Sequence, residues 1–303
     1  MSVKRRTTFD RAFDAVNLLL ICFIIVIVAY PLYFTVIASL SDPYAVASGK
    51  VIFWIKDLTL EPYTNVLKND DIWTGYANSI FNTVVIVIYQ LAVTIPCSYV
   101  LSRRHLIGRK AIMTYFLITM YFGGGLIPSY LLMRDLGVVN TRLALILPAG
   151  MTVYTMIVAR SFFQTNVPQE LLEAAKIDGC GEFGIFLRIV IPVSGAIIAV
   201  VALYAAVGHW NNWFSTLLYI SDKKLYELQY VLRNILIANQ KMNIINVESM
   251  EGADAIAAQM RRKYMAQGMK YAIIFISSAP MLIAYPFVQK YFVKGVMIGS
   301  VKG

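Results

Sequence analysis

A chain of 303 residues that is 58% hydrophobic and only 15% charged is too apolar for a soluble globule, since soluble domains carry about 25% charged residues. The deficit is accounted for if much of the surface faces lipid. The net charge of +10 does not mark a nucleic-acid binder, because the basic residues flank apolar runs, where they orient helices in a membrane.

The chain opens MSVKRRTTFDRAFDAV and then turns apolar. A basic start before an apolar run has the outline of a signal peptide. The run 16–40 is longer than the roughly 7–15 residues of a cleaved core, and Ala45-Val46-Ala47 lies well past it. The sequence predicts an uncleaved first transmembrane helix. A bilayer core takes about 20 apolar residues per helix. Segments 16–40, 78–101, 111–133, 143–163, 193–219 and 269–292 meet that requirement. The expected fold is therefore all-α, a polytopic membrane protein with six transmembrane helices over 16–292. Residues 1–15 and 293–303 form the termini, and longer polar stretches fall at 41–72 and 220–268.

Orientation follows from the basic turn 102–110, which holds Arg103, Arg104, Arg109 and Lys110 and no acid. The N-terminus sets Lys4, Arg5, Arg6 and Arg11 against Asp10 and Asp14. Both are expected on the cytoplasmic side. Arg261, Arg262 and Lys263 then face outward, in a long loop where the charge bias loses force. Segments 41–72 and 220–268 become outer loops, and 164–192 is cytoplasmic. Arg142, Arg160, Lys270 and Lys290 lie near span ends, where they can snorkel. No Asp, Glu or His is expected at a midplane position, unlike the spans of proton-coupled carriers. There is also no G-x-x-x-x-G-K-[ST] run to bind ATP. Energy for uphill transport would have to arrive from a partner.

Three further features have two readings each. Gly123-Gly124-Gly125, with Pro128, interrupts the third span. It is either a bend lining a translocation path or a site of close helix packing. His209-Trp210-Asn211-Asn212-Trp213 closes the fifth span. Its aromatics and amides suit a sugar, and its tryptophans equally suit an interfacial belt. Gly123, Gly124, Trp210, Asn211 and Asn212 are the resulting substrate-pathway candidates. Segment 249–267 predicts an outer amphipathic helix capped by Ser249, touching an extracellular solute-binding protein or lying on the membrane. Cys22, Cys97 and Cys180 have no evident partners, and His105 and His209 stand too far apart for a ligand cluster. No disulfide, metal site or catalytic constellation is expected.

The polar stretch 168–192 separates two apolar segments. Asn166 is expected to cap a helix over Gln169–Ile177, with Gln169 at the capping-box position. Gly179 can take the left-handed conformation that ends it. A second helix restarts over 182–190, and Pro192 leads into the next span. Ala174 and Ala175 leave room for a partner to approach, and Ala175 is expected to face that partner. The same stretch could be an ordinary amphipathic re-entry loop.

Here the sequence resembles a known family. EAAKIDG at 173–179, followed by Ile191-Pro192, is similar to the EAA loop of binding-protein-dependent ABC importer permeases. Phe53-Trp54, the run LTLEPYTNVL, Asn78-Ser79 and the ending QKYFVKGVMIGSVKG resemble the maltose-permease-like carbohydrate branch. Cys180 stands where that family often has Ala, and Val190-Ile191-Pro192 replaces the commoner Ile-Leu-Pro. The longer 222–268 segment resembles the complex-oligosaccharide subgroup. The resemblance implies a cytoplasmic coupling loop that docks on an ATPase, with Glu173, Ala174, Ala175, Asp178 and Gly179 as coupling positions. It implies a second permease as heterodimer partner, two ATP-binding subunits and an extracellular solute-binding protein. It implies no cofactor in this chain, with ATP and Mg in the partner subunits, and a multi-pass place in a bacterial cytoplasmic membrane. The substrate expected is a carbohydrate, an oligosaccharide above all. The alternatives are an importer for a peptide or polyamine, a membrane-embedded enzyme, and a self-contained channel.

Overall fold

In the computed structural model, residues 8–244 and 253–299 are described, and all regular elements among them are helices. They run α1 Thr8–Ser39, α2 Pro43–Ala47, α3 Glu61–Leu67, α4 Asp70–Ser102, α5 Arg109–Tyr121, α6 Leu126–Asp135, α7 Leu143–Ile146, α8 Val153–Asn166, α9 Gln169–Ile177, α10 Glu182–Ile185, α11 Ile191–Val193, α12 Gly195–Trp210, α13 Phe214–Tyr219, α14 Leu228–Ile244 and α15 Ala253–Gly299. A π-helical turn, Phe186–Val190, joins α10 to α11. The chain divides into two units, 1–69 with 235–278, and 70–234 with 279–303.

In the first unit, Ile37, Ala38, Ala45, Val46 and Val51 form a small core against Phe34 and Tyr271. The Tyr63 hydroxyl donates to Ser39 Oγ at 2.7 Å. Gly268 has a packing reason. A Cβ there would sit 2.8 Å from Pro43 Cγ, so only glycine lets α15 approach the start of α2 this closely.

In the second unit, α4 packs lengthwise on α8 and α12. Ile95, Tyr99, Ala159, Phe163, Leu172, Ala175, Ile185 and Val201 belong to one core. The buried face of α4 is not purely apolar. Asn78, Asn82 and Gln90 lie on it at multiples of four residues, with Ser98 further along, so each needs a polar partner.

Helices Thr8–Ser39, Asp70–Ser102 and Ala257–Pro286 are each long and apolar enough to cross a bilayer. Three further pairs qualify if each bent pair counts as one span, giving up to six. The bends revise the expectation of continuous spans. The third segment breaks at Phe122–Gly125 into α5 and α6, which meet at 110°. A Cβ on Gly123 would have open space and one on Gly124 would only touch Pro128, so within this chain these glycines make a bend rather than close packing. Gly125 has φ +88°, a conformation glycine adopts without strain. The fourth segment bends by 43° between Leu143–Ala149 and Val153–Asn166. The fifth bends by 80° at Ser194, and α12 stops at Trp210 before the separate helix α13.

Two loop expectations also change. Much of 220–268 is helical, in α14 and the start of α15. From Ala253 on, the helix expected at 249–267 runs without a break into the last span as α15, because no proline falls at their junction; Pro280 and Pro286 lie farther on, inside the span. The expected Ser249 cap lies outside the described residues, as do Lys4, Arg5 and Arg6 and residues 300–303 of the tail.

Candidate functional site

The polar stretch after α8 folds as the sequence predicts, with one difference at its start. Pro168 takes the N-cap position of α9 with ψ 134° and makes no side-chain bond. The Asn166 amide turns back instead, donating to the Phe162 carbonyl at 3.2 Å and to Thr165 Oγ1 at 2.8 Å. Gln169 Nε2 donates to Glu173 Oε1 at 3.2 Å. At the other end Gly179 sits at φ +77°. The Cys180 N–H reaches the Ala175 carbonyl at 2.9 Å and the Gly179 N–H reaches Lys176 at 3.0 Å, the bond pattern of a left-handed glycine stop. Lys176 Nζ then bridges the turn to Glu182 Oε1 at 2.5 Å. The hydrogen bond from Lys176 holds the Glu182 carboxyl below its ordinary pKa, against a smaller opposing effect of burial.

Helical phase decides which side chains this knob offers. Leu172 and Ala175 are one turn apart and point into the core, with Ala175 only 7% exposed. The expectation that Ala175 faces a partner is therefore corrected, since its methyl fills space inside its own chain. Glu173, Ala174 and Asp178 are exposed. So are two large apolar side chains, Ile177 at 86% and Phe183 at 73%. Large apolar groups this open on a polar knob are free to meet another surface.

A second polar constellation joins five stretches of the second unit. Glu227, just before α14, is 2% exposed. Its Oε1 accepts from Asn82 Nδ2 at 2.8 Å and lies 2.7 Å from His209 Nε2. Its Oε2 accepts from Thr216 Oγ1 at 2.8 Å. Arg142 donates to Asn82 Oδ1 at 3.2 Å and to Asn78 Oδ1 at 2.7 Å. Asn78 Nδ2 donates to the carbonyls of Lys224 and Tyr226, and Ser79 Oγ accepts from the Leu228 N–H at 2.9 Å. Gly75 permits the close approach, because a Cβ there would lie 3.0 Å from Leu228 Cα. Both ionisable groups at the centre of this network lie away from the middle of a span, Glu227 in the loop before α14 and His209 one residue from the end of α12. They do not contradict the expectation of no acid or histidine at a midplane position. Glu227 and His209 are both buried, and each finds a partner in the other.

Beside this network is a cavity of about 380 Å³ whose lining includes Gln90, Thr152, Tyr154, Thr155, Tyr204 and Asn212. Gln90 Nε2 donates to Thr155 Oγ1 at 3.4 Å, and the hydroxyls of Thr152 and Thr155 are 2.6 Å apart. Of the five substrate-pathway candidates, only Asn212 lines it. Trp210 is buried beside Tyr76, the Asn211 amide donates to the Val207 carbonyl, and Gly123 and Gly124 lie at the α5–α6 bend. Among the described residues, no group of three His, Cys, Asp or Glu is placed to hold a metal ion.

Comparisons with known proteins agree on one family. Residues 1–298 match the family described as binding-protein-dependent transport system inner membrane component. The chain is 38% identical over 297 residues to protein LplC of Bacillus subtilis (strain 168), covering 98% of this chain and 97% of that one. It is 35% identical over 294 residues to the polygalacturonan/rhamnogalacturonan transport system permease protein YtcP of the same organism, covering 97% and 99%. A crystal structure of a bacterial ABC transporter involved in the import of the acidic polysaccharide alginate aligns with a TM-score of 0.82 at 29% identity, covering 96% of this chain and 100% of that chain. On a match of this extent, with a helical bundle and an exposed two-helix knob to go with it, the chain belongs to the family of binding-protein-dependent transport system inner membrane components, as a permease subunit of an ABC importer rather than an enzyme.

Proposed function

We propose that this chain forms half of the transmembrane pathway of an ATP-driven oligosaccharide importer, spanning a bacterial cytoplasmic membrane six times. The observation that carries the reading is the knob of α9 and α10, which presents Ile177 and Phe183 to the outside of the chain. It docks on one of two ATP-binding subunits, and the EAAKIDG positions Glu173, Ala174, Ala175, Asp178 and Gly179 transmit the stroke. Glu173, Ala174 and Asp178 do so at the contact. Ala175 and Gly179 do so by fixing the knob to its own bundle and ending α9. ATP and Mg belong to the partner subunits. A second permease completes the pathway, and an extracellular solute-binding protein delivers the sugar.

The cavity supports the substrate class. Its lining offers amides, hydroxyls and two tyrosine rings, and no Lys, Arg, Asp or Glu. That chemistry suits a hydroxyl-rich neutral ligand better than a peptide or a polyamine, which would call for charged partners. The names of LplC's fellow relative YtcP and of the alginate importer attach carbohydrate transport to those proteins. Gln90→Leu keeps the side-chain volume and removes the amide. Uptake of the transported oligosaccharide into vesicles should fall by a few-fold to about tenfold, the worth of one or two hydrogen bonds. Unchanged uptake would remove the cavity from the pathway.

Orientation is tested by labelling. Cys22, Cys97 and Cys180 are first replaced by alanine. Ile107→Cys lies at a 93% exposed tip of the basic turn and should resist an impermeant thiol reagent in intact cells. Lys223→Cys, exposed in 220–268, should label. The reverse pattern would put the knob on the wrong side for a cytoplasmic ATPase and overturn the reading.

A further inference from the structure

Two cavities adjoin at the basic turn between α4 and α5. One, about 790 Å³, is lined by Arg103, Arg104, His105 and Arg109, and across from them by Gln169 and Glu173 of α9. The other, about 480 Å³, is lined mainly by Pro96, Val100, Leu106, Phe183 and Phe186, with Lys176 and Glu182 at its edge. Tyr99, Arg103 and His105 belong to both. Arg103 lies over the Tyr99 ring at 5.6 Å, so it stands where the basic space meets the apolar one.

The charges do not balance. Glu173 is the one carboxylate in the basic lining, and it already accepts from Gln169. Glu182 is tied to Lys176. Among the described residues, no ion pair is formed by Arg104 or Arg109. The surroundings are apolar. Ile107 at the tip is almost fully exposed, and α5 buries no residue, leaving Ile112, Tyr115 and Ile118 open.

We propose that the paired cavities hold one anionic phospholipid, its phosphate among Arg103, Arg104 and Arg109 and the start of one acyl chain against Pro96, Val100, Leu106 and Phe186. The proposal rests on the cytoplasmic placement of the basic turn argued above, which puts these arginines at headgroup depth. Basic pockets at that depth are where anionic headgroups bind. A free phosphate would use only the basic cavity. An acidic side chain of an ATPase subunit would likewise leave the apolar cavity unfilled. An amphiphile with a negative head uses both. Because Gln169, Glu173 and Lys176 line the two cavities, the bound lipid would also brace the knob against the bundle. ATPase stimulation in the assembled importer should then rise with the anionic lipid content of the membrane.

The test counts lipids rather than transport, so it does not fail merely because the importer reading fails. The full-length chain, with whatever subunits co-purify, is supplied with phosphatidylglycerol, phosphatidylcholine or free glycerol phosphate. Retained molecules are counted by native mass spectrometry. The wild type should retain phosphatidylglycerol over phosphatidylcholine. The double variant Arg104→Gln, Arg109→Gln should lose about fivefold in retention for each charge removed, at an unchanged melting temperature. Val100→Trp fills the apolar cavity and leaves the cations intact, so it should lose phosphatidylglycerol while any weak binding of glycerol phosphate persists. Equal retention of the two lipids overturns the proposal. So does full displacement of phosphatidylglycerol by glycerol phosphate, which would mark a soluble-anion site. If the double variant loses ATPase subunits in lipid-free detergent while phosphatidylglycerol retention is unchanged, the arginines serve protein docking and the lipid reading is wrong.

Discussion

Glu227→Ala should destabilise the chain more than any other single polar substitution, by about 3–5 kcal/mol, because several buried groups lose one shared acceptor together, at about 1–3 kcal/mol for each left unsatisfied. Three donors converge on this carboxylate, from Asn82, His209 and Thr216. Truncation leaves all three inside the bundle without their acceptor, and an unsatisfied buried donor costs more than the bond it once made. Arg142 is affected too, because it reaches the network through Asn82 and Asn78. The stretch before α14 should then loosen from α4, freeing the backbone around the already exposed Lys223 and Lys224 to enter trypsin. Glu227→Gln keeps the shape and one acceptor oxygen, so its loss should be clearly smaller. The measurement is the melting temperature in detergent together with the rate of tryptic cleavage. A double-mutant cycle checks the mechanism. His209→Ala added to Glu227→Ala should cost much less than the sum of the two, since residues in one hydrogen-bond network are not additive. Additive losses, or a wild-type melting temperature for Glu227→Ala, would mean that the network does not hold the bundle together.

That network was not legible in the sequence, and the reason is physical. A glutamate between Tyr226 and Leu228 in a polar stretch has the composition of a surface residue, and hydropathy averaging erases its neighbours. The signal that could have found it lies on α4. Asn78, Asn82 and Gln90 recur at multiples of four in an otherwise apolar span, and amides on one buried helical face demand partners. Arg142 and His209, each at a span end, were the available groups. The knob was legible for the opposite reason, because its structure is set by local chemistry. Strong helix formers over Gln169–Ile177 and a glycine two positions on are enough to place α9 and its left-handed stop. Its orientation required one more step. Ala175 was read as a gap for a partner because it is small. The phase set by Leu172, one turn earlier, sends it inward. The Gly123–Gly125 break could be seen in the sequence, but its 110° angle could not, since glycine permits a bend without specifying one. Gly268 shows the converse. It sits inside α15 without ending it, because what it answers is the approach of Pro43, a contact from more than 200 residues away in the chain.

The inward phase of Ala175 turns the coupling proposal into a contrast between neighbouring positions. Ile177→Asp changes a side chain that is 86% exposed, so the chain should melt as the wild type does. In the assembled importer the same side chain would be buried on the ATPase. Losing roughly 1.5–3 kcal/mol of apolar burial, and gaining a charge that must be desolvated, should weaken ATPase pull-down by at least about tenfold and abolish sugar uptake. Ala175→Trp should fail by a different route. The indole has to displace part of the core formed with Phe163, Leu172 and Ile185, at about 1–3 kcal/mol. It should therefore lower the melting temperature as well as uptake. A Cβ on Gly179 meets no atom within 4 Å, so the cost of Gly179→Val is chiefly backbone strain, about 1–2 kcal/mol from a left-handed β-branched residue. That strain should loosen the end of α9 and the Lys176–Glu182 bridge, giving partial loss of coupling at near-normal expression. The three variants separate the knob's contact face, its root and its turn when melting, ATPase pull-down and uptake are read in the same membranes. If Ile177→Asp keeps both pull-down and uptake, the exposed face of α9 is not where the ATPase docks, and the energy for transport must enter this chain elsewhere.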